Sequence, residues 1–557
     1  MSDAGPPEPV TIPPQEDFPV EWASADEQKI PWELDLMHFN NVMPPLEAEF
    51  WAQFMHGAEL AMQHFEMPLQ MVAKPFNYWL YTGIFPRIPP EEMPEQTRRS
   101  DEVLMATVDR LRERWDEEWL PEIKKQIEEW DAFDVTAAST ADLQTHLTEV
   151  WTGAQRLADI HFQIVFPVYI ALSLFDDLYN DLFSGGVLES QKLVQGFDNM
   201  TLEMNRALWA LSRKARASGG IREILEEHAP GDVMNALAES DDGQALAKEL
   251  DAFLNLHGER TSDWGLCHAS WIEDPSPVMV NLKAYIEQEG DPSDELKERA
   301  AERDDAVAAA RERLQGYPSN VRDEFEHLLK GASTAVVLTE DHGYWIDFQA
   351  TYRVRRVVME MGKRLAEAGT LATAGDIFLL RTDEIAAAVG ASPAPDHTGL
   401  VEERKKEMEH FGSLKPPLFM GTDYGPPPPG LVSDALGKFF GAPVEQTDAT
   451  DGTVAGNAGS PGKFRGTARV VRSLDEADKL GVGEILVAET TSPSWTPLFA
   501  TAAGIVTDTG GILSHCAVVA REYGIPAVVG TGVATSTITD GQTIEVDGDA
   551  GRVRLFD

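Results

Sequence analysis

The sequence predicts a multidomain protein with a mostly α-helical N-terminal domain and a small C-terminal α/β domain. A length of 557 residues is too great for one compact core. Apolar residues recur at spacings of three and four through most of 26–385, whereas short β-rich runs alternate with short helices after residue 463. We therefore expect a flexible tail over 1–25, a helical domain over 26–385, a Pro/Gly-rich linker over 386–462 and the α/β domain over 463–557.

Four segments of the N-terminal region show the helical period. Within 101–130 and within 351–368, apolar side chains share one face and charged residues fill the gaps. Gly369 follows the second of these segments and is expected to stop that helix. The segments 141–184 and 191–217 are predicted helices for the same reason.

The C-terminal region contains six short runs that are rich in β-branched and apolar residues. These predicted strands lie at 467–471, 484–488, 505–507, 527–529, 543–546 and 553–555. Three serines are predicted helix N-caps, because Ser473 opens a capping-box pattern, Ser492 precedes a proline and Ser514 precedes an apolar helical run. Strands and helices in alternation predict a small α/β domain.

Charge and cysteine content restrict the expected partners and compartment. Lys and Arg number 46 against 93 Asp and Glu, and the net charge of −47 predicts that neither nucleic acid nor an anionic membrane is bound. The two cysteines, Cys267 and Cys516, form no disulfide framework, so we expect a reducing, cytoplasmic location. We expect no signal peptide, because the N-terminus lacks a basic and an apolar leader region. No uncharged apolar run predicts a transmembrane helix.

The strongest functional signal is a strand–turn–helix pattern near residue 510. A strand is expected to end at Thr507, and the pair Gly510-Gly511 then forms a turn that lets backbone come close to a ligand. Ser514 is expected to cap the following helix, which places His515 in its first turn.

This pattern predicts a phosphate-binding site around His515. Free N–H groups and the dipole at a helix start attract anions, so they would stabilise a phosphoryl group on the imidazole. The dipole also disfavours imidazolium, which predicts a neutral and nucleophilic His515. Thr509, Gly510, Gly511 and Ser514 are the candidate phosphate-binding residues, and the Thr509 hydroxyl is expected to donate a hydrogen bond.

The same stretch resembles the swivelling phosphohistidine domain of the PEP-utilising enzymes, such as phosphoenolpyruvate synthase, pyruvate phosphate dikinase and rifampicin phosphotransferase. The shared pattern is Thr-x-x-Gly-Gly-x-x-Ser-His, followed by Ala-Arg-Glu-x-Gly-Ile-Pro-Ala-Val-Val-Gly, and the resemblance covers about 456–557. The segment from Thr491 to Leu498 is similar to the Thr-Pro-x-Trp-x-Pro segment of that family. The resemblance implies that His515 is phosphorylated and that the domain moves between active sites. Cys516 stands where the family usually has alanine, and a small buried cysteine can replace it.

Two stretches of the helical region resemble the part of rifampicin phosphotransferase that precedes its histidine domain. One runs over 257–275 and the other over 344–384. In that family this region holds the acceptor substrate, which implies a set of acceptor-pocket candidates. They are His257, Arg260, Trp264, His268, Trp271, Tyr344, Trp345 and Arg353.

These candidates suit an acceptor pocket, but each has a structural alternative. Arginines can hold an anionic group, a histidine can deprotonate a hydroxyl, and aromatic rings can line a pocket. Tryptophans are also common in cores, arginines also pair with carboxylates, and histidines are often structural. The sequence leaves both possibilities open for each residue.

The resemblance also implies a missing nucleotide site. Full-length members of the family carry an ATP-binding domain of the ATP-grasp type, and no Gly-rich phosphate loop follows a strand in this sequence. We therefore expect a separate ATP-grasp-type subunit that binds ATP and Mg²⁺, as in the two-component phenylphosphate synthase. No metal cluster is expected in this chain.

The leading hypothesis is a subunit of an ATP-dependent phosphotransferase of the dikinase type. It would carry phosphate on His515 and transfer it to the hydroxyl of an organic acceptor. The Trp and Tyr content of the chain and the resemblance favour an aromatic or hydrophobic acceptor. The alternatives are a phosphorelay carrier that passes phosphate to a partner protein, and a non-catalytic regulatory homologue. The intact motif around His515 argues against the last of these.

Overall fold

The computed structural model describes residues 9–36, 38–39, 41–184, 187–261, 265–288, 290–391, 393–425, 429–441, 452–472, 474–491 and 495–556. The chain divides into two compact units. Unit 1 comprises Met1–Phe166, Trp264–Cys267 and Trp345–Ser433, and unit 2 comprises Pro167–Asp263, His268–Tyr344 and Asp434–Asp557. Helices dominate the N-terminal three quarters and a sheet dominates the C-terminal part, so the predicted fold class is confirmed.

The described α-helices follow the apolar periodicity of the sequence. They are α1 (Pro45–His64), α2 (Met93–Val108), α3 (Leu111–Arg114), α4 (Leu120–Asp131), α5 (Thr140–Phe183), α6 (Val187–Gln191), α7 (Met200–Ala217), α8 (Gly219–Glu227), α9 (Val233–Glu239), α10 (Gln244–His257), α11 (Ser276–Glu287), α12 (Pro292–Arg313), α13 (Ser319–His342), α14 (Gln349–Glu367), α15 (Thr382–Ala388), α16 (Thr398–Gly412), α17 (Leu431–Phe440), α18 (Thr496–Phe499), α19 (His515–Glu522) and α20 (Ala534–Thr537). Wider π-helical turns join α3 to α4 at Trp115–Trp119 and α13 to α14 at Gly343–Phe348.

Helix α5 differs from the others in length and composition. Among the described helices it is the one long and apolar enough to cross a membrane. However, 78% of its most apolar window is buried inside the protein, which is typical of a core helix. Its apolar character is therefore explained by packing.

The described strands form two sheets. They are β1 (Val10–Ile12), β2 (Pro31–Leu34), β3 (Leu69–Phe76), β4 (Trp79–Pro86), β5 (Phe419–Asp423), β6 (Thr453–Ala455), β7 (Asn457–Ser460), β8 (Lys463–Val470), β9 (Ile485–Ala488), β10 (Gly504–Thr507), β11 (Ala527–Val529), β12 (Thr543–Asp547) and β13 (Arg552–Leu555). The sheet of unit 1 has the order β1-β5-β2-β4-β3 and is antiparallel throughout. An aromatic cluster that includes Trp32, Phe76 and Tyr81 packs on it.

The hairpin of β3 and β4 lies inside the range that the sequence predicts as helical. Asn77 and Tyr78 connect the strands, and both have positive φ, at 49° and 70°. Two such residues form the hairpin turn whose twist matches that of the strands. Tyrosine takes the second turn position, where glycine usually follows asparagine. The sequence therefore lacks the Asn-Gly pattern that predicts a hairpin.

Two predicted boundaries also differ from the structure. In the predicted tail, β1 pairs with β5 and the Phe18 ring is fully buried against Tyr81. The predicted linker over 386–462 contains α16, β5, α17, β6 and β7. Proline-rich stretches separate these short elements, and extended proline backbone can still place aromatic side chains in a core.

The helical part of unit 2 has its own apolar core. Side chains of α7 to α11, such as Leu208, Leu250 and Leu282, are less than 2% exposed and pack together. Asn199 caps α7 and Ser218 caps α8, and each side chain accepts a hydrogen bond from a backbone N–H. Helix α13 carries an apolar face of the same unit.

The C-terminal sheet of unit 2 has the order β6-β13-β12-β8-β9-β10-β11-β7. Its central strands β8 to β11 are parallel, and antiparallel strands flank them on both sides. One apolar cluster packs on each face, with α19 on one and α20 on the other. The six predicted strands correspond to β8 to β13 and are confirmed, while the predicted caps Ser473 and Ser492 lie outside the described residues.

Gly57 permits a close contact between α1 and α5 in unit 1. A Cβ at this position would lie 2.5 Å from the backbone carbonyl carbon of Ala158. We expect Gly57→Ala to lower the free energy of unfolding by about 1–3 kcal/mol, because helix backbone has to move, and this outweighs alanine's better helix propensity. Urea unfolding measures the change. Gly399→Ala is the control, because no atom lies within 4 Å of a Cβ there, and an equal loss in both variants would contradict the contact.

Candidate active site

His515 is the first residue of α19, as the sequence predicts. Ser514 has extended backbone, and its hydroxyl oxygen accepts a hydrogen bond from the backbone N–H of Ala517 at 3.5 Å, which makes Ser514 the N-cap. The His515 side chain is 15% exposed. The ring therefore lies at a helix start with limited access to solvent.

A buried carboxylate of α13 contacts the His515 ring. Nδ1 of His515 lies 2.9 Å from Oε1 of Glu340, whose side chain is 3% exposed. The other oxygen of Glu340 accepts a hydrogen bond from the Thr201 hydroxyl at 3.2 Å. Burial would raise the pKa of Glu340, but the imidazole and the Thr201 hydroxyl outweigh it and hold the pKa below its usual value. Glu340 is therefore ionised and acts as an acceptor.

This contact determines which nitrogen of His515 is available for chemistry. An ionised carboxylate only accepts hydrogen bonds, so Nδ1 has to carry the proton. Nε2 lies 3.4 Å from the Thr496 hydroxyl oxygen, and the Phe499 ring centroid lies 6.4 Å from that of the imidazole. Nε2 is therefore the candidate atom for carrying a phosphoryl group.

The glycine turn before His515 contacts the end of α17. Gly510 has a φ of 99°, which favours glycine, and the Gly511 N–H donates to the carbonyl of Phe439 at 2.7 Å. A Cβ on Gly511 would lie 2.2 Å from the carbonyl oxygen of Lys438. The predicted hydroxyl donor Thr509 donates to the carbonyl of Glu489 at 3.2 Å. The phosphate-binding role of these residues stays a prediction.

Three acceptor-pocket candidates come together in unit 2. The Arg260 guanidinium is 1% exposed and lies over the Tyr344 ring, 5.1 Å from its centroid. Tyr344 donates its hydroxyl to the carbonyl of Leu256 at 3.3 Å. Desolvation lowers the pKa of Arg260 to about 10, so it is charged at neutral pH. Desolvation and the charge of Arg260 lower the pKa of nearby His257 to about 4, which makes His257 a weak base for a hydroxyl proton.

The remaining candidates lie elsewhere. In unit 2, Trp271 is part of the apolar core and His268 is exposed. In unit 1, the Nζ of Lys124 lies 4.6 Å from the Trp345 ring centroid, and the buried guanidinium of Arg353 forms an ion pair with the exposed carboxylate of Asp131 at 2.6 Å. Trp264 lies outside the described residues. Trp271 is therefore a core residue, and Arg353 pairs with a carboxylate.

Unit 1 contains two open cavities. One, of about 430 Å³, is lined by Pro44, Cys267, Arg355, Met359, Gly375, Asp376, Phe378, Leu379, Lys405 and Met408. The other, of about 650 Å³, is lined mostly by glutamine and threonine side chains of α4 and α5. The predicted pocket residues line neither of these two cavities.

Comparison with known proteins agrees with this geometry. Residues 480–551 match the mobile domain of PEP-utilising enzymes, and residues 161–340 match the fourth domain of rifampicin phosphotransferase. We call residues 480–551 the mobile domain after this match. The resemblance noted in the sequence is thereby confirmed.

Similar proteins include chondramide synthase of Chondromyces crocatus, which is 39% identical over 98% of this chain and 14% of its own length. Rifampicin phosphotransferase of Streptomyces sviceus is 31% identical over 64% of this chain and 40% of its own length. The phosphotransferase YvkC of Bacillus subtilis is 29% identical over 71% of this chain and 47% of its own length. The chain thus spans less than half the length of each of these relatives.

Two residues of the mobile domain have structural roles. Arg521 is buried and donates to the carbonyls of Gly459 and Ile512, at 2.9 Å each, so it joins the loop before α19 to β7. Cys516 is buried, and desolvation raises the pKa of its thiol to about 12, so it acts as a small apolar residue.

Glu340 is a candidate functional residue that the sequence analysis does not identify. It lies four residues after Val336 on the apolar face of α13, together with Phe325, Leu329 and Ala332. A carboxylate on such a face has to find a partner, because an unpaired buried charge is costly. The apolar face around Glu340 is the feature of the sequence that indicates a buried carboxylate with a partner. The partner itself, His515, lies 175 residues away and cannot be identified from this pattern.

Glu340→Gln removes the charge of the carboxylate but keeps its shape. We expect the Nδ1–H tautomer of His515 to lose its dominance, because an amide can donate to Nδ1 as well as accept from it. The ¹⁵N chemical shifts of the imidazole nitrogens measure the tautomer. Glu324→Gln is the control, since Glu324 is an exposed residue of the same helix. Unchanged shifts in the Glu340 variant would contradict the assignment.

Proposed function

We propose that this chain is the phosphoryl-carrying part of an ATP-dependent phosphotransferase and transfers the group from His515 to the hydroxyl of an organic acceptor. One observation carries the proposal. The imidazole at the start of α19 contacts Glu340 through Nδ1, so Nε2 is the nitrogen that we propose carries the phosphoryl group.

The proposed reaction has two steps on one nitrogen. In the first step a bond forms between Nε2 and phosphorus, and the P–O bond to the leaving part of the donor breaks. In the second step the acceptor oxygen forms a bond with phosphorus, the N–P bond breaks, and the hydroxyl proton passes to a base. His515 ends with Nδ1 protonated and Nε2 free, as it began.

We propose that ATP and Mg²⁺ are bound by an ATP-grasp-type partner subunit. A triphosphate and its metal ion need cationic side chains and hydrogen-bond donors. Among the described residues, the His515 ring contacts Glu340, Thr496 and Phe499, and none of these three side chains is cationic. These surroundings do not fit a nucleotide triphosphate, which supports a donor site elsewhere.

We propose an aromatic or hydrophobic alcohol as the acceptor. The buried group of Arg260, Tyr344 and His257 in unit 2 supports this choice, because a guanidinium over an aromatic ring can hold a polar group beside an apolar one. Among the names of similar proteins, rifampicin phosphotransferase refers to such an organic molecule. The phosphorelay alternative requires no acceptor pocket.

His515→Ala is expected to abolish labelling of the chain by the β-phosphate of ATP in the presence of the partner subunit. The expected label falls to background, because the variant lacks the nitrogen that forms the N–P bond. Acid-labile radioactivity on the protein measures it. His268→Ala serves as the control, since His268 is exposed on unit 2. An acid-labile label that persists in the His515 variant would refute the assignment.

The purified chain alone is expected not to hydrolyse ATP. The reason is that the proposed donor site belongs to another subunit. Release of inorganic phosphate with and without the partner measures this activity. Robust hydrolysis of ATP by the chain alone would contradict the proposal that a partner subunit binds ATP. The labelling experiment would still test the role of His515.

A further inference from the structure

Helix α19 contacts the helical part of unit 2 at both of its ends. At its start, His515 contacts Glu340 of α13. At its other end, Glu522 contacts Gly196 in the segment before α7, and the C-cap residue Tyr523 contacts Asn205 of α7. Since α19 has only eight residues, a restraint at one end limits the position of the other.

Glu522 binds the turn at Gly196. Its two carboxylate oxygens accept hydrogen bonds from the backbone N–H of Gly196, at 3.2 and 3.0 Å. Gly196 has a φ of 70°, and a Cβ there would lie 2.4 Å from the backbone nitrogen of Ala300. Arg303 donates to the carbonyl of the same glycine at 3.0 Å. The turn is therefore held from both sides with its N–H directed at Glu522.

Tyr523 adds a second contact at the same end. Its hydroxyl forms a hydrogen bond with the side-chain amide of Asn205 on α7 and interacts with the buried hydroxyl of Tyr285 on α11. Asn205 and Tyr285 are each at most 1% exposed. Two side chains of the mobile domain thus reach polar groups inside the helical part.

The position of Glu522 is unfavourable for the stability of the helix itself. A carboxylate in the last turn of a helix opposes the helix dipole. Loss of hydration raises the pKa of Glu522 to about 7, and the neighbouring Glu340 acts in the same direction, while the Gly196 N–H, Arg521 and Arg299 oppose this rise. We therefore attribute the presence of Glu522 at this position to its hydrogen bonds with Gly196.

We propose that Glu522 is a positioning residue that latches the end of α19 onto the Gly196 turn and so holds His515 against Glu340. Release of this contact allows the mobile domain to leave its docked position. The inference deepens the proposed function, because a carrier that visits two sites needs a docked state that can open.

Hydrogen exchange of the full chain tests the latch without any phosphate chemistry. We expect Glu522→Ala to speed exchange in peptides that cover 195–205 and 515–523 by about tenfold, as the loss of one charge-assisted hydrogen bond implies. Alanine is the better helix former and removes the conflict with the dipole, so faster exchange cannot come from the helix alone. Glu522→Gln keeps an acceptor oxygen and should largely restore protection. The control is Glu312→Ala at an exposed site of α12.

Phosphoramidate, a small chemical donor, tests the effect on His515. It transfers its phosphoryl group to an imidazole nitrogen with release of ammonia, and it needs no partner subunit. The docked ring is 15% exposed, so we expect Glu522→Ala to accelerate phosphorylation of His515 by about tenfold, in line with the change in exchange. Tyr523→Phe, which removes only the hydroxyl, should act in the same direction with a smaller effect.

The outcomes separate the two proposals. The latch is overturned if Glu522→Ala leaves exchange near Gly196 and the phosphorylation rate equal to those of the Glu312 control, or if Glu522→Gln is as impaired as the alanine variant. If His515 of the unaltered chain accepts no phosphate from phosphoramidate or from ATP with the partner, the proposed function fails. The exchange result would still decide for or against the latch.

Discussion

The contact between His515 and Glu340 is the interaction on which the proposed chemistry of this chain depends. A carboxylate that is 3% exposed cannot stay ionised without partners. The mobile domain supplies one partner through Nδ1, and Thr201 supplies the other. The hydrogen bond that satisfies Glu340 also holds a proton on Nδ1 of the histidine, so the candidate site forms when unit 2 folds.

The rest of the mobile domain is arranged to bring the ring to this carboxylate. The parallel strands carry α19 on one face of the sheet, and the glycine turn before it is so close to the end of α17 that no side chain fits at Gly511. Lys438 at that end is paired with Asp176 and Asp177 of α5. The N–H of Gly511 is engaged by protein in this arrangement, so a phosphoryl group that used it would have to displace the carbonyl of Phe439.

Local patterns predicted the C-terminal domain well, and long-range contacts explain what was missed. The six strands, the Ser514 cap and His515 at the helix start follow from short-range rules, because turn residues and caps act on their neighbours. The burial of Phe18 and the partner of Glu340 depend on chain far away in sequence. Among the pocket candidates, residue type alone could not distinguish an ion pair such as that of Arg353 from a substrate contact.

The orientation of His515 also bears on the second step of the proposed reaction. When Nε2 carries the phosphoryl group and Nδ1 keeps its proton, the ring is cationic, and breaking the N–P bond releases neutral imidazole. Without that proton the leaving group would be an imidazolide anion, which is far less stable. Glu340 stabilises the Nδ1–H form through a hydrogen bond to a positive ring. In the docked position the carboxylate therefore makes phosphohistidine a better donor, whereas a ring withdrawn from Glu340 would lose this activation and hold its phosphoryl group longer.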